Sequence, residues 1–78
     1  MLDLRMYRLK IKEVAISKGY SISKLSRIAD VPIKTVRRAW NDPQYPIQLP
    51  SLDRIAKALH VSINELLETI PDEGGEQV

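Results

Sequence analysis

Residues 25–41 read LSRIADVPIKTVRRAWN, and the fold turns on how this stretch is read. Two short apolar patterns at helical spacing stand on either side of the junction Ala29-Asp30-Val31-Pro32. Leu25, Ile28 and Ala29 complete the first pattern. With Ile22 they lay an apolar stripe along one helix face, and Ser21 stands where its hydroxyl can accept a bond from a free backbone N–H at the helix start. Asp30 tolerates a left-handed backbone better than most residues, and Pro32 has a fixed φ suited to a helix start. Asp30-Val31-Pro32 is therefore expected to be a tight turn between two helices, with Val31 pointing into the core. The next helix, Ile33 to about Trp40, has only Val36 and Ala39 as inward positions. Ile33, Lys34, Arg37, Arg38 and either Trp40 or Asn41 then face outward, more cation than a merely structural helix needs.

Toward the N-terminus, Tyr7, Ile11, Val14 and Ala15 follow the i, i+4, i+7, i+8 series, Leu9 adds an apolar group, and Gly19 supplies a stop. This predicts a first helix from about Tyr7 to Lys18. Toward the C-terminus, NDPQYPIQLP (residues 41–50) carries three prolines, which cannot continue a helix and so predict an ordered extended loop. Ser51 is expected to cap a fourth helix whose Leu52, Ile55, Ala56 and Leu59 point inward, with Asp53 favourable to the dipole in its first turn. Ser62 and Glu65 have capping-box spacing, and Ile63, Leu66, Leu67 and Ile70 predict a fifth helix that Pro71 ends. The expected class is all-α: a compact bundle of five helices. The expected organisation is an N-terminal arm over residues 1–7, a helical domain over 8–70 and a frayed, disordered acidic tail over 71–78.

Composition limits the chemistry. Seventy-eight residues make one domain with a small core, because a chain of this size buries only about 60% of its unfolded surface. A deep substrate pocket is not expected. The chain has no cysteine and one histidine, so neither a disulfide framework nor a thiolate or histidine metal cluster is available, and no cofactor is implied. MLDLRMYRLK alternates charge with apolar residues and lacks the apolar run of a signal peptide, and no segment approaches the ~18 residues of a membrane span. These features fit a soluble, unprocessed cytoplasmic chain with no membrane partner. All 12 Lys and Arg, but only five acids, fall in residues 1–60, a net +7; residues 61–78 hold five acids and no base, a net −5. A basic body suits a polyanion, with a solvated basic surface as the plain alternative.

Two helices joined by a turn of three or four residues, the second cationic on its outer face, make a helix-turn-helix, whose second helix enters the DNA major groove. At this level the chain resembles the Cro/repressor-type (XRE) family of small transcription regulators. The resemblance is carried by SISKLSRIADVPIKTVRRAWN and by LPSLDRIAKALHVSINELLE and spans roughly residues 8–68. IAKAL matches the family's fourth-helix core, and VSINELL matches its Val-Ser-x-x-x-Leu-Leu ending. Two positions depart from the family pattern. Asp30 and His60 stand where Gly is usual, at turns expected to need a positive φ.

The resemblance implies a five-helix domain of the lambda-repressor type and a sequence-specific regulator of transcription, most often a repressor, with double-stranded DNA as ligand and a nucleoid-associated location. It also implies which residues read bases: Ile33, Lys34 and Arg38, by their match to the family's reading positions. Arg and Lys can donate to guanine O6 and N7, and an exposed Ile can pack on a thymine methyl. Ile22, Ser23, Lys24, Arg37 and Asn41 fall at backbone-contact positions, where main-chain N–H, hydroxyl, amide and cationic groups bond phosphates. Arg37 and Arg38 also admit the reading of solvated or paired cations. Trp40 reads as a plug between the third helix and the proline loop, against Tyr45 or Pro46, ahead of a phosphate contact. His60 reads as a turn residue, and Ser21, Ser51 and Ser62 as caps without a base beside them.

The dimer interface has two readings. Leu2, Leu4 and Met6 alternate with charged residues, which suits an extended arm over residues 2–6 pairing with its two-fold mate. The family's commoner arrangement uses the fifth helix, here through Ile63, Leu67 and Ile70. Either places two recognition helices about 34 Å apart on a pseudo-palindromic site. An antitoxin or protein-binding module on the same scaffold, engaging a partner through the acidic tail or the proline loop, is the alternative function. An enzyme is disfavoured, since the sequence shows no metal-ligand cluster, phosphate-cradling glycine loop or nucleophile with its base.

Overall fold

The computed structural model describes residues 7–69. Strand β1 (Tyr7–Leu9) leads into helices α1 (Ile11–Ser17), α2 (Ile22–Ala29), α3 (Ile33–Asn41) and α4 (Leu49–Leu59); a 3-10 turn (Ile63–Leu66) and strand β2 (Leu67–Thr69) follow. The strands pair antiparallel, with Tyr7 opposite Thr69, Arg8 opposite Glu68 and Leu9 opposite Leu67. The four α-helices pack around Ile11, Leu25, Val36, Ile55, Leu59 and Leu66, all fully enclosed.

This architecture corrects the expected five-helix bundle at both ends. The capping-box pair forms, Glu65 Oε2 accepting from the Ser62 N–H at 3.4 Å, but it opens only a 3-10 turn. Leu66 at its end drops into the core with no exposure. The backbone then extends at Leu67 (φ −122°, ψ 137°), because Leu66 C=O accepts from Lys10 N–H at 2.8 Å and draws the chain alongside β1. The first helix is shortened by the same pairing. Tyr7 and Leu9 belong to β1, and of the expected series only Ile11, Val14 and Ala15 lie on α1. Leu9 N–H turns away from β2 and donates to Pro43 C=O at 2.7 Å, which ties the small sheet to the loop behind α3. The fifth helix on which the alternative dimer interface rests is not formed among the described residues, and Ile63 and Leu67 pack, partly buried, against the domain's own core. The arm proposed at residues 2–6 lies outside the described residues.

Three helices end in the same way. After α1, Gly19 (φ +80°) donates to Ile16 C=O and Tyr20 N–H reaches back to Ala15 C=O; after α4, His60 (φ 61°) donates to Lys57 C=O and Val61 N–H reaches Ala56 C=O. These bonds satisfy carbonyls that have no partner within the helix. Asp30 (φ 59°, ψ 47°) closes α2 in the left-handed region too, with Val31 N–H bonded to Ser26 C=O at 3.2 Å. The left-handed expectation for Asp30 and His60 is met. Ser51, by contrast, does not cap α4: that helix begins two residues earlier, with Gln48 as its N-cap. Pro50 is accommodated in its first turn because that N–H would have had no helical partner.

Loop 42–48 is ordered by its own bonds. Gln44 N–H donates to Asp42 Oδ1 at 3.0 Å, and Ile47 N–H reaches Tyr45 C=O at 2.8 Å across Pro46. Ile47 is buried, while Trp40 and Tyr45 are half-buried against the core, in keeping with the packing role expected of Trp40. The α2 stripe is narrower than its spacing suggests. Leu25 and Ala29 are buried, but Ile28 is 48% exposed in a shallow groove beside Tyr20 and Ala58.

Candidate nucleic-acid interface

The turn between α2 and α3 is held from several sides. Ser26 C=O accepts from the turn's backbone, and Ser26 Oγ donates to Val31 C=O at 2.7 Å. Arg54, from α4, donates to Asp30 C=O at 3.3 Å. Val31 is buried, so the turn is pinned beneath as well as bonded above. Pro32, at φ −53°, then starts α3, its carbonyl accepting from Thr35 and Val36 N–H. Ser26 and Arg54 escaped the sequence reading. Ser26 sits on α2 five residues before its acceptor, and Arg54 is 24 residues from its own, so neither bond leaves a short-range signature.

The geometry of α3 follows from its two inward positions. Val36 and Ala39 are buried, and Ile33, Lys34, Arg37, Arg38 and Asn41 are exposed on the remaining surface. Trp40 is the exception among the expected outward residues, being half-buried. Among the described residues, no hydrogen bond or ion pair engages the side chains of Lys34, Arg37 or Arg38. The first turn of α3 contains no acid. Three cations are thus presented on nine residues of helix with no ion-pair partner among the described residues.

The start of α2 adds a second group of donors. Ser21 (φ −95°, ψ 172°) caps the helix, its Oγ accepting from Lys24 N–H at 3.1 Å. That leaves the first N–H groups, at Ile22 and Ser23, without a helical partner. No acid stands in this first turn either, and Ser23 and Lys24 are exposed. Lys24 Nζ lies 4.7 Å from the centroid of the Tyr20 ring. Tyr20 in turn donates its hydroxyl to Ala58 C=O at 3.0 Å.

Among the described residues, the acid–cation pairs lie in other places. Arg8 Nε donates to Glu68 Oε1 at 3.1 Å across the sheet, and Lys57 pairs with Asp53 one turn away at 3.0 Å on α4. The hydrogen bond from Arg8, and then its charge, hold the Glu68 carboxyl below the usual carboxylate range. Among the described residues, no three metal-ligating side chains gather in one place, and no helix is long and apolar enough to cross a membrane.

A two-helix motif with a bonded turn, unpaired cations on the second helix and open donors at the start of the first defines a class of DNA-binding domain. Comparison with protein families agrees: the chain belongs to the family described as the Cro/C1-type HTH DNA-binding domain, whose model matches residues 10–72. It is accordingly a DNA-binding regulator with double-stranded DNA as its ligand. No curated protein and no solved structure matches the chain.

Proposed function

We propose that this regulator is a sequence-specific repressor that sets α3 in the major groove. Ile33, Lys34 and Arg38 read base edges, Arg38 by a bidentate bond to guanine and Ile33 by contact with a thymine methyl. Arg37 and Asn41 on α3, and Ser23, Lys24 and the Ile22 main chain at the start of α2, bond phosphates and fix the register. The observation that carries this reading is the unpaired cationic face of α3. An isolated arginine or lysine in solvent is ordinary, but three on one short helix, none of them paired with an acid among the described residues, leave like charges that a polyanion relieves. The repressor acts by occupying its site, as a cytoplasmic homodimer on two half-sites about one helical turn apart. In this reading the domain that begins at β1 is the DNA-binding unit, residues 2–6 ahead of it serve as an arm in the dimer, and the acidic stretch 71–78 stays off the DNA.

The test is selection from a randomised duplex pool at physiological salt with competitor DNA. Enrichment of a two-fold symmetric site supports the proposal and names the operator. Salt-sensitive binding without enrichment refutes sequence reading by α3 and reduces the basic face to non-specific affinity.

A further inference from the structure

The position of Lys24 is unfavourable for the free protein. A cation in the first turn of a helix opposes the positive end of the helix dipole, and this turn holds no acid to compensate. What lies under the ammonium instead is the Tyr20 ring, 4.7 Å away at its centroid. That ring is fixed at both ends. Its hydroxyl donates to Ala58 C=O on α4 at 3.0 Å, and its body packs against the core at the residue before the cap, where a hydrophobic staple belongs. A rigid aromatic face attracts an ammonium through its quadrupole. Without it, the dipole and the side chain's four rotatable bonds would let the ammonium wander from the open N–H groups of Ile22 and Ser23.

We infer that Tyr20 is a positioning residue for DNA binding: it holds the Lys24 ammonium beside the start of α2, so that one phosphate meets the ammonium and the helix N–H groups together. The inference deepens the proposed function and rests on its assignment of Lys24 to a phosphate. Tyr20 itself need not touch DNA. Its contribution is to remove conformational freedom that Lys24 would otherwise lose on binding.

The experiment compares Tyr20→Phe, Tyr20→Leu, Lys24→Ala and the double variant Tyr20→Leu with Lys24→Ala, on the full chain and one duplex, with thermal melts alongside. Phe keeps the ring and loses the hydroxyl bond, so it isolates the bond's effect on stability. Expected results are affinity near wild type for Tyr20→Phe, a ~2- to 5-fold loss for Tyr20→Leu, and no further loss when Leu is added to Lys24→Ala. Equal losses for Phe and Leu, or a Leu loss that persists in the Lys24→Ala background, would show that Tyr20 acts only through the fold and overturn the inference. An effect of Lys24→Ala with none from Tyr20→Leu would overturn it while leaving the phosphate assignment standing. Lys24→Ala with unchanged affinity would remove that assignment, and this inference with it.

Discussion

Replacing Lys24 with Glu should make the domain more stable and a poorer DNA binder at once. Ser21-Ile22-Ser23 precedes position 24, so glutamate there completes a capping box, its carboxylate reaching back to the Ser21 N–H while Ser21 Oγ keeps the bond it already accepts from residue 24. Exchanging a cation for an anion in the first turn is worth roughly 0.3–1 kcal/mol for each half of the change. Against this stands the lost contact with the Tyr20 ring, ~0.5–1 kcal/mol at an exposed site. At the middle of these ranges the balance is a gain of about 0.5 kcal/mol, which for a domain of this size raises Tm by roughly 2–4 °C. On DNA the sign reverses. Losing one phosphate contact lowers the slope of log K against log salt by about one unit, and the new carboxylate repels the same phosphate. Thermal melting by circular dichroism and a salt titration of binding to a fixed duplex measure the two halves. A lower Tm would refute the account of the α2 start, and an unchanged salt slope would refute its contact with the backbone.

Three further outcomes are expected. Arg38→Ala should relax discrimination at one base position by about 1–3 kcal/mol while binding to random duplex changes much less; competition with singly altered sites reads this, and equal loss on both DNAs would exclude base reading. His60→Gly should stabilise the domain by about 0.5–1 kcal/mol, because relief of a left-handed backbone worth ~1–2 kcal/mol outweighs the ~0.5–1 kcal/mol of extra chain entropy that glycine loses. A denaturant melt in which the midpoint of that variant falls would contradict it. For Glu68, the folded-state carboxyl is held below its ordinary range by Arg8, so its contribution is present above the unfolded carboxylate pKa and fades as pH falls through the folded value. Both partners are exposed and salt screens them. Glu68→Gln should therefore flatten the acid limb of stability at low ionic strength and leave neutral-pH DNA binding unchanged; an acid limb identical to wild type would show the pair to be inert.

The middle of the molecule was legible in its sequence because each signal there is local. Ser21 as cap, Asp30 in the left-handed turn, Val31, Val36 and Ala39 inward, and the four apolar positions of α4 all rest on spacings of five residues or fewer, and all stand in the structure. The two ends were misread for one reason. Leu66, Leu67 and Ile70 fit helical spacing, but Leu67-Glu68-Thr69 equally fit alternation, and only a partner 60 residues away decides between them. Tyr7-Arg8-Leu9 is that partner, and nothing near it in the chain says so. Ile28 failed differently. A helix stripe is only as wide as the surface that covers it: Leu25 and Ala29 are buried, while Ile28 stays half in solvent in a groove it shares with Ala58 of α4. The pattern of inward Val36 and Ala39 put Lys34, Arg37 and Arg38 on the outer face, where they stand, while their division into base and phosphate contacts came from the family resemblance alone.

The antiparallel pairing of β1 with β2 also has a mechanical meaning. Tyr7 and Thr69 face each other at the open end of the pair, so tension applied between them pulls across the strands and loads the rungs in succession. Such a pair peels: Tyr7 leaves Thr69, then Arg8 leaves Glu68, then Leu9 leaves Leu67, each step giving way at low force. The next ties inward are Leu9 N–H to Pro43 C=O at 2.7 Å and Lys10 N–H to Leu66 C=O at 2.8 Å, and beyond the second the tension reaches Leu66, seated in the core without exposure. The first of these bonds leads to the loop behind α3 and the second to the core, so α2 and α3 carry load only after the three rungs have given way. The small sheet thus works as a strain relief, yielding before force on the flanking chain reaches α2 and α3.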